Sequence, residues 1–420
     1  MHWWGGLLVV GLVLAASARA GADQIAVDGS GAAFVVSPTA SDRSAGSSTV
    51  RIRSAAPGAR FGRWRTVVRA ARGDRVMDAG VAADGSGVAF LQSRAGPQRS
   101  VRVVAFGSRE RARGPVAVSS ADADFAASAV APSGAAIVVW FRHRDDGRWR
   151  LEASVREPGA AAFGRAEPIS RFVRRPCCTS VSAAIGARGH AVVAWSSTSR
   201  PAVWAALRAP GRGFRRTHRL ARSASDAPKA VVGAGGTAAV TYSTQHVPLR
   251  ASDGLQLRRA RGASFGPAEH VNPGGGLTIG DAAIAASGDV IVAWTDKVHG
   301  ARVHVSDAPA GGPLSRAVEL GTDVSPRAVA VANDAAGRAV VAWSQRAASD
   351  GAYREQAEAA TRGATGAHFG PPTPLGRPWR AAEPQLARLV PGSGALVLWK
   401  GSRYDGPTAR RTALAVTRLP

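Results

Sequence analysis

A short pattern of apolar and small residues, closed by an aromatic residue, recurs along the chain. The best-formed copy is Gly337-Arg-Ala-Val-Val-Ala-Trp343, in which a glycine precedes a run of small and β-branched residues. Five further copies end in Trp140, Trp195, Tyr242, Trp294 and Trp399, and two weaker copies end in Val35 and Leu91. A glycine before such a run is typical of a tight turn that leads into a buried strand. The pattern therefore predicts one structural unit that is repeated eight times.

The spacing of the copies indicates the type of this unit. Neighbouring copies lie 47 to 56 residues apart, which accommodates four short strands and their turns, as in one blade of a β-propeller. No window shows a sustained helical period of apolar residues, so we expect no long helices. We predict an all-β protein with a single β-propeller domain over residues 21–420. The expected repeats are residues 23–69, 76–119, 124–170, 178–220, 226–271, 279–320, 324–375 and 383–420.

The number of blades is open at the end of the chain. Eight four-stranded blades are the first expectation, but the last copy ends at its third strand. Either the last blade has three strands, or seven blades form with one hybrid blade. The aromatic residue on each second strand is expected to fill the gap between neighbouring blades, where its bulk is needed. A series of sugar-binding platforms is the alternative, and we favour the buried core.

The turn before each fourth strand carries a family resemblance. Ser54-Ala-Ala-Pro-Gly58-Ala-Arg-Phe61 resembles the Asp box of bacterial sialidase-type propellers, Ser-x-Asp-x-Gly-x-Thr-Trp, with Ala56 in place of the aspartate. Similar glycine-to-aromatic steps occur at Gly159 to Phe163, Gly211 to Phe214, Gly262 to Phe265 and Gly366 to Phe369, and at Gly311 to Leu314 with a leucine. The resemblance implies sialidase-like blades, because this box is a structural turn in the family.

The catalytic residues of that family do not follow from the resemblance. Sialidases of this type use a tyrosine nucleophile paired with a glutamate, an aspartate acid/base and three arginines introduced by an Arg-Ile-Pro motif. No Arg-Ile-Pro occurs in this sequence, and neither Tyr353 nor Tyr404 stands in a recognisable Tyr-Glu context. Ser-His-Asp and metal-ligand spacings are also absent from the sequence.

The first twenty residues are predicted to be a signal peptide. Trp3 to Ala16 is an apolar run, and Ala18-Arg-Ala20 matches the small-x-small pattern that precedes cleavage. The run is shorter than the roughly 20 residues of a membrane-spanning helix, so an uncleaved anchor is the less favoured alternative. We therefore expect a secreted, extracellular protein without stable membrane insertion after cleavage.

The formal net charge is +25 at pH 7, and nearly all of the positive charge comes from arginine. Such a charge favours anionic partners, but scattered solvated arginines would explain it equally. Arginines close most third strands, at Arg53, Arg156, Arg208, Arg258, Arg362 and Arg418. We hypothesise that they form a basic rim for an anionic polysaccharide or another cell-surface component, with ordinary solvated strand ends as the alternative. No nucleic-acid partner is expected for an exported chain, and we expect a monomer.

An acid precedes almost every expected first strand. Besides Asp23, these acids are Asp78, Asp124, Asp226, Asp281, Asp323 and Glu383. A ring of carboxylates around the channel mouth could hold Ca²⁺ or a cationic ligand. Alternatively, each acid accepts hydrogen bonds from the backbone of its own turn, and we favour this. We expect no other cofactor.

The two cysteines, Cys177 and Cys178, are adjacent and fall where the fourth repeat would have its acid. In an exported chain they could form a vicinal disulfide. A reduced pair and intermolecular bridging are the alternatives, because the vicinal ring is strained.

Taken together, these features predict a secreted, non-catalytic propeller that acts as a binding or scaffold module. The alternative is a glycan-acting hydrolase or lyase of sialidase-like fold. Its candidate catalytic residues are the loop residues Asp145, Asp146, Tyr404 and Asp405.

Overall fold

The computed structural model consists of strands, turns and loops. It describes residues 23–40, 48–94, 98–107, 112–174, 180–197, 202–223, 227–244, 253–273, 279–296, 302–321, 324–334, 336–347, 354–363, 368–379, 381–390, 394–404 and 410–419. Within these ranges the chain forms 32 strands and no helix, so no described segment is a helix that could cross a bilayer.

The first four blades are four-stranded antiparallel sheets in chain order. Blade 1 holds β1 (Gln24–Val27), β2 (Ala33–Ala40), β3 (Ser48–Ala55) and β4 (Arg65–Arg69). Blade 2 holds β5 (Asp74–Val81), β6 (Gly87–Ser93), β7 (Ser100–Phe106) and β8 (Val116–Ala117). Blade 3 holds β9 (Ala123–Val130), β10 (Ala136–His143), β11 (Trp149–Arg156) and β12 (Glu167–Pro168). Blade 4 holds β13 (Ser180–Ile185), β14 (Ala191–Ser197), β15 (Ala202–Arg208) and β16 (His218–Ala221).

The remaining four blades vary at the outer edge. Blade 5 holds β17 (Lys229–Val232), β18 (Ala238–Thr244), β19 (Gly254–Arg261), β20 (Ser264–Phe265) and β21 (Glu269–Pro273), of which the last two both pair with β19. Blade 6 holds β22 (Ile279–Ile284), β23 (Val290–Asp296), β24 (Arg302–Ala308) and β25 (Val318–Gly321). Blade 7 holds β26 (Val324–Asn333), β27 (Ala339–Ala347), β28 (Arg354–Arg362) and β29 (Thr373–Pro374). Blade 8 holds β30 (Ala381–Leu389), β31 (Ala395–Tyr404) and β32 (Arg410–Leu419).

The core is divided among the seams between neighbouring blades. Each sheet alternates its side chains between two faces, and eight apolar clusters result, one at every seam. The cluster that joins blade 8 to blade 1 contains Leu396 and Leu398 on one side and Ile25 and Val35 on the other. Eight sheets joined by eight seams make a closed ring, which confirms the predicted β-propeller. Ring closure depends on side-chain packing, because β1 to β4 pair in their own blade and the last blade has three strands in the described chain.

The repeated aromatic residues are buried, as the sequence predicts. Trp140 and Trp343 are 0% exposed, and Trp195, Tyr242, Trp294 and Trp399 are between 2% and 4% exposed. Each ring packs against the blade that precedes its own; Trp343, for example, packs beside Ile291 and Val305 of blade 6. The hydroxyl of Tyr242 donates to the carbonyl oxygen of Leu220 on the preceding blade. The aromatic residue is therefore a seam filler and not a binding platform.

The first repeat is shifted by two residues from the predicted alignment. The turn glycine is Gly31, with φ of 88°, and not Gly29, so the position of the aromatic residue falls on Ser37 and not on Val35. Gly29-Ser-Gly31 offers two glycines to the turn, and the sequence alone does not choose between them. Ser37 hydrogen-bonds the carboxyl of Asp23, and Phe61 and Trp64 supply bulk to this seam instead.

Candidate functional site

Successive connections of an antiparallel sheet alternate between its two ends, which gives the propeller two distinct faces. The turn face carries the glycine turns between strands one and two and between strands three and four, such as those at Gly189 and Gly211. The loop face carries the connections from the second to the third strand and those between blades. The predicted acids and catalytic candidates belong to the loop face, and the arginines that close the third strands belong to the turn face.

Four of the acids expected before the first strands lie within those strands. Asp78 is in β5, Asp124 in β9 and Asp281 in β22, and the backbone of Glu383 lies in β30. Strands β5 and β9 are each longer than the run of small residues from which they were predicted, because each strand continues past a β-bulge. Asp226, Asp323, Asp405, Cys177 and Cys178 lie outside the described residues, as do the side chains of Glu383 and Tyr404. No group of three or more acids, histidines or cysteines that could hold a metal ion occurs in the described part of the chain.

Asp78 is a partly buried carboxyl at the seam between blades 2 and 3. Its Oδ2 accepts a hydrogen bond of 2.6 Å from Ser128 Oγ on the next blade, and its Oδ1 accepts one from the amide of Ala79. Burial raises its pKa to about 7, and the nearby charge of Asp23 acts in the same direction, against the hydrogen bonds. The carboxyl therefore links two blades and changes its protonation near neutral pH.

The raised pKa predicts a pH-dependent stability. A carboxyl whose pKa is higher in the folded state contributes its full stability below the unfolded pKa of 3.8, and this contribution is lost as the pH rises from there through about 7. We expect the free energy of unfolding of Asp78→Asn to rise, relative to that of the wild type, by about 1–3 kcal/mol between pH 5 and pH 9. Urea denaturation at both pH values measures the difference. A difference that is equal at the two pH values would contradict the assignment to Asp78.

Asp281 connects three blades. Its Oδ1 lies 3.3 Å from Lys229 Nζ of blade 5, and its Oδ2 accepts a hydrogen bond from the amide of Val331 of blade 7. Asp281 therefore accepts a hydrogen bond from a backbone amide, but this amide belongs to the neighbouring blade and not to the turn of Asp281 itself. Each carboxylate oxygen of Asp78 and of Asp281 already has a partner in the protein, so neither side chain presents an unpaired oxygen to a ligand.

Asp124 lies in a polar and aromatic cluster on the loop face. Arg99 Nη1 contacts it at 2.8 Å, and His143 Nε2 lies 2.9 Å from the same carboxylate oxygen. The His143 ring packs on Trp149 with a centroid distance of 3.7 Å. These contacts hold the acid between a guanidinium and an imidazole, so it orients its neighbours.

The candidate catalytic pair Asp145 and Asp146 lies in an exposed hairpin turn between β10 and β11. Asp146 Oδ2 accepts a hydrogen bond from Arg148 Nε at 2.6 Å, which lowers the pKa of this carboxyl. Beside the turn, Arg144 and Arg150 both lie over the ring of Phe172, at 4.5 and 4.4 Å. An exposed carboxylate of lowered pKa is a poor general acid.

The arginines that close the third strands are mainly structural. Three donate to the carbonyl oxygen of the turn glycine in their own blade, namely Arg156 to Gly134, Arg208 to Gly189 and Arg362 to Gly337. Three lie over the aromatic ring that follows the next turn, namely Arg53 over Phe61, Arg156 over Phe163 and Arg362 over Phe369. Arg156 and Arg208 are buried, at 9% and 7% exposure. The description as solvated strand ends is therefore wrong for these two, and a rim of equivalent basic sites does not form.

A cavity of about 650 Å³ opens on the turn face between blades 4, 5 and 6. Its charged and polar lining consists of Arg208, Arg215, Arg259, His190, Thr237 and Ser287, and glycine, alanine and one leucine form the rest. None of the described residues along its wall carries a carboxylate. Ligand sites commonly have volumes of roughly 300–1,000 Å³ with a few convergent polar groups. This cavity has the size of a small-molecule site, and its charged lining residues are basic.

Two of the three arginines are fixed by neighbouring blades. Arg208 Nη2 contacts Glu157 Oε1 at 2.6 Å across the seam between blades 3 and 4. Arg259 forms two bonds with Glu269, at 2.8 and 2.6 Å, and its Nη2 donates to the carbonyl oxygen of Gly312 in blade 6. These bonds give the cavity rigid walls, but they occupy most of the donors.

Arg215 supplies the donors that remain. It is exposed, and its side chain has no hydrogen bond or ion pair with any described residue. His190 Nδ1 is buried and also lacks a partner among the described residues. The ring of His190 fits here because position 236 is a glycine with φ of 92°; a Cβ there would lie 2.6 Å from Nδ1. The cavity thus combines one exposed cation with polar groups that are held by neighbouring blades.

Sequence reasoning did not identify this cavity. Its walls come from turns of three blades that are about 50 residues apart in sequence, and most of its lining is glycine and alanine. The signal that could have found it is the run Gly211-Arg-Gly-Phe-Arg-Arg216, the most basic of the turns before the fourth strands.

The fold is shared with known propellers. No protein-family model and no curated protein sequence matches this chain. Among solved structures, a lectin from Burkholderia pseudomallei superposes with a TM-score of 0.52 at 14% identity, over 85% of this chain and 99% of the lectin. A Hadza microbial sialidase superposes with a TM-score of 0.42 at 9% identity, over 78% and 63% of the two chains. An ulvan lyase superposes with a TM-score of 0.43 at 11% identity, over 77% and 91%. At these identities the likeness concerns the fold.

Proposed function

We propose that this protein is a binding module for glycans that carry carboxylate groups, and that the ligand occupies the turn-face cavity between blades 4, 5 and 6. The observation that carries the proposal is the lining of the cavity by three arginines without a carboxylate. Arginine binds carboxylates with charge-assisted, directional hydrogen bonds, and Thr237 offers a hydroxyl to a sugar oxygen.

Charge and fold support the same class of ligand. A net charge of +25 attracts polyanions over a long range and raises their rate of association. The propeller of the Burkholderia lectin provides a precedent for sugar binding by this fold, although fold alone does not determine function. Export, which we predict from the first twenty residues, would place the protein among cell-surface and extracellular polysaccharides.

A binder is a better proposal than the alternative hydrolase or lyase. Among the candidate acids, Asp78 and Asp281 are paired across seams, and Asp146 is exposed with a lowered pKa. In the described part of the chain no two carboxylates converge on the cavity, as glycoside hydrolysis would require.

Methyl glucuronoside and methyl glucoside form a matched pair of ligands for a test. The two differ only in the carboxylate, so we expect the full-length protein to bind the glucuronoside at least tenfold more tightly in calorimetric titrations. We expect Arg215→Ala to reduce this affinity at least tenfold, because a hydrogen bond to a charged group contributes about 1.5–3 kcal/mol. Binding of the glucoside should not change.

The control variant is Arg216→Ala, which removes the same charge from the adjacent exposed position that does not line the cavity. Equal losses in the two variants would indicate a general charge effect and would refute the cavity as the site. Failure of the glucuronoside to bind at all would refute the proposed ligand class.

A further inference from the structure

A second, smaller cavity adjoins the first on the turn face. It has a volume of about 390 Å³ and lies at the seam between blades 3 and 4. Its charged lining is Glu157, Glu167, Arg208 and Arg212, and Phe163 forms an apolar wall. Arg208 also lines the first cavity, so the two cavities share one wall.

The shared wall is rigid. The Arg208 side chain is 6% exposed, its Nη2 contacts Glu157 Oε1 at 2.6 Å, and its Nε lies 3.7 Å from Glu167 Oε1. Its Nη1 donates to the carbonyl oxygen of Gly189, the residue before His190 of the first cavity. The guanidinium is held from both sides and separates the two cavities.

The two cavities differ in charge. The first contains arginines and no carboxylate along its described wall. In the second, two arginines face two carboxylates, and the side chains of Glu157 and Glu167 are 33% and 28% exposed. These carboxylates would repel a second anionic group. A neutral sugar could instead donate hydrogen bonds from its hydroxyls to the carboxylates and accept hydrogen bonds from the exposed Arg212.

We infer that the ligand is an extended glycan in which an acidic sugar unit occupies the first cavity and a neighbouring neutral unit occupies the second, on either side of Arg208. This inference rests on the proposed function. Two linked units that fill two adjacent, rigid sites bind more tightly than one unit, because the second binding event is intramolecular. An alternating acidic and neutral chain therefore fits better than a uniformly acidic one.

The test compares three ligands in calorimetric titrations of the full-length protein. They are methyl glucuronoside, a hyaluronan tetrasaccharide, in which acidic and neutral units alternate, and tetragalacturonate, in which every unit is acidic. We expect the hyaluronan tetrasaccharide to bind about tenfold more tightly than methyl glucuronoside and about fivefold more tightly than tetragalacturonate.

Glu167→Gln is the informative variant. The glutamine amide oxygen can still accept the hydrogen bond that the Phe214 amide donates to Glu167 Oε2, so the fold should persist, which an unchanged affinity for methyl glucuronoside confirms. Because the variant removes one negative charge from the second cavity, its affinity for tetragalacturonate should rise about threefold. The difference in affinity between the alternating and the uniformly acidic tetrasaccharide then becomes smaller.

Two results would overturn the inference and leave the proposed function intact. One is equal affinity for methyl glucuronoside and both tetrasaccharides, and the other is a preference for the alternating chain that Glu167→Gln leaves unchanged. If no carboxylated ligand binds the wild type, the proposed function itself is wrong.

Discussion

Replacing Trp343 with alanine is expected to lower the free energy of unfolding by about 3–5 kcal/mol, as for other buried large aromatic residues. The indole is fully buried in the seam between blades 6 and 7, where it packs with Ile291, Val305 and Val329. Its far edge lies over Gly321 at the end of the preceding blade. Removing it creates a cavity that the two rigid sheets cannot close. Denaturant titration followed by circular dichroism measures the loss.

A suitable control is Val318→Ala. Val318 lies in the outer strand of blade 6, which forms one side of the same seam, and it is 49% exposed. We expect that change to cost less than about 0.5 kcal/mol. A loss of less than about 1 kcal/mol in Trp343→Ala would show that the seams are not packed as described and would revive the interpretation of these residues as platforms.

The repeated second strand was predictable because each blade solves the same physical problem. Every sheet buries both faces against its neighbours, so small and β-branched residues recur at the strand and one large residue recurs at its end. Trp140, Trp195, Trp294, Trp343 and Trp399 satisfy this requirement in the same way. Blade 1 satisfies it differently, with Ser37 bonded to Asp23 and with Trp64 in the seam, which is why its alignment could not be read from the pattern.

The candidate site was not predictable for the opposite reason. A site depends on where non-repeated residues point after the ring has closed. Arg208 and Arg215 are seven residues apart, yet one is a buried tie between blades and the other is an exposed donor in a cavity. Arg208 ends the third strand and Arg215 lies in the turn that follows it, and nothing in the sequence marks one as structural and the other as functional. Only the neighbouring blade, which supplies or withholds an acid such as Glu157, distinguishes them.

The same distinction predicts a large effect of Arg208→Ala on stability. Removing the guanidinium leaves Glu157 without its partner and removes the bond to Gly189. We expect a loss of about 2–4 kcal/mol in the free energy of unfolding, somewhat below that of fully buried pairs because Glu157 is 33% exposed. The matched control is Arg212→Ala, which removes an exposed arginine from the second cavity and should cost less than about 0.5 kcal/mol.

The double variant Arg208→Ala with Glu157→Gln identifies the source of the loss. If the unpaired carboxylate causes most of it, neutralising Glu157 should recover about half of the lost stability, and the two substitutions should be non-additive. Denaturant titrations of the four proteins complete the cycle. Strict additivity would mean that Arg208 stabilises the ring through its aliphatic stem and the bond to Gly189 alone. Recovery would instead show that the charge of Arg208 belongs to the seam, so that ligand binding in the adjoining cavity depends on the unpaired charge of Arg215.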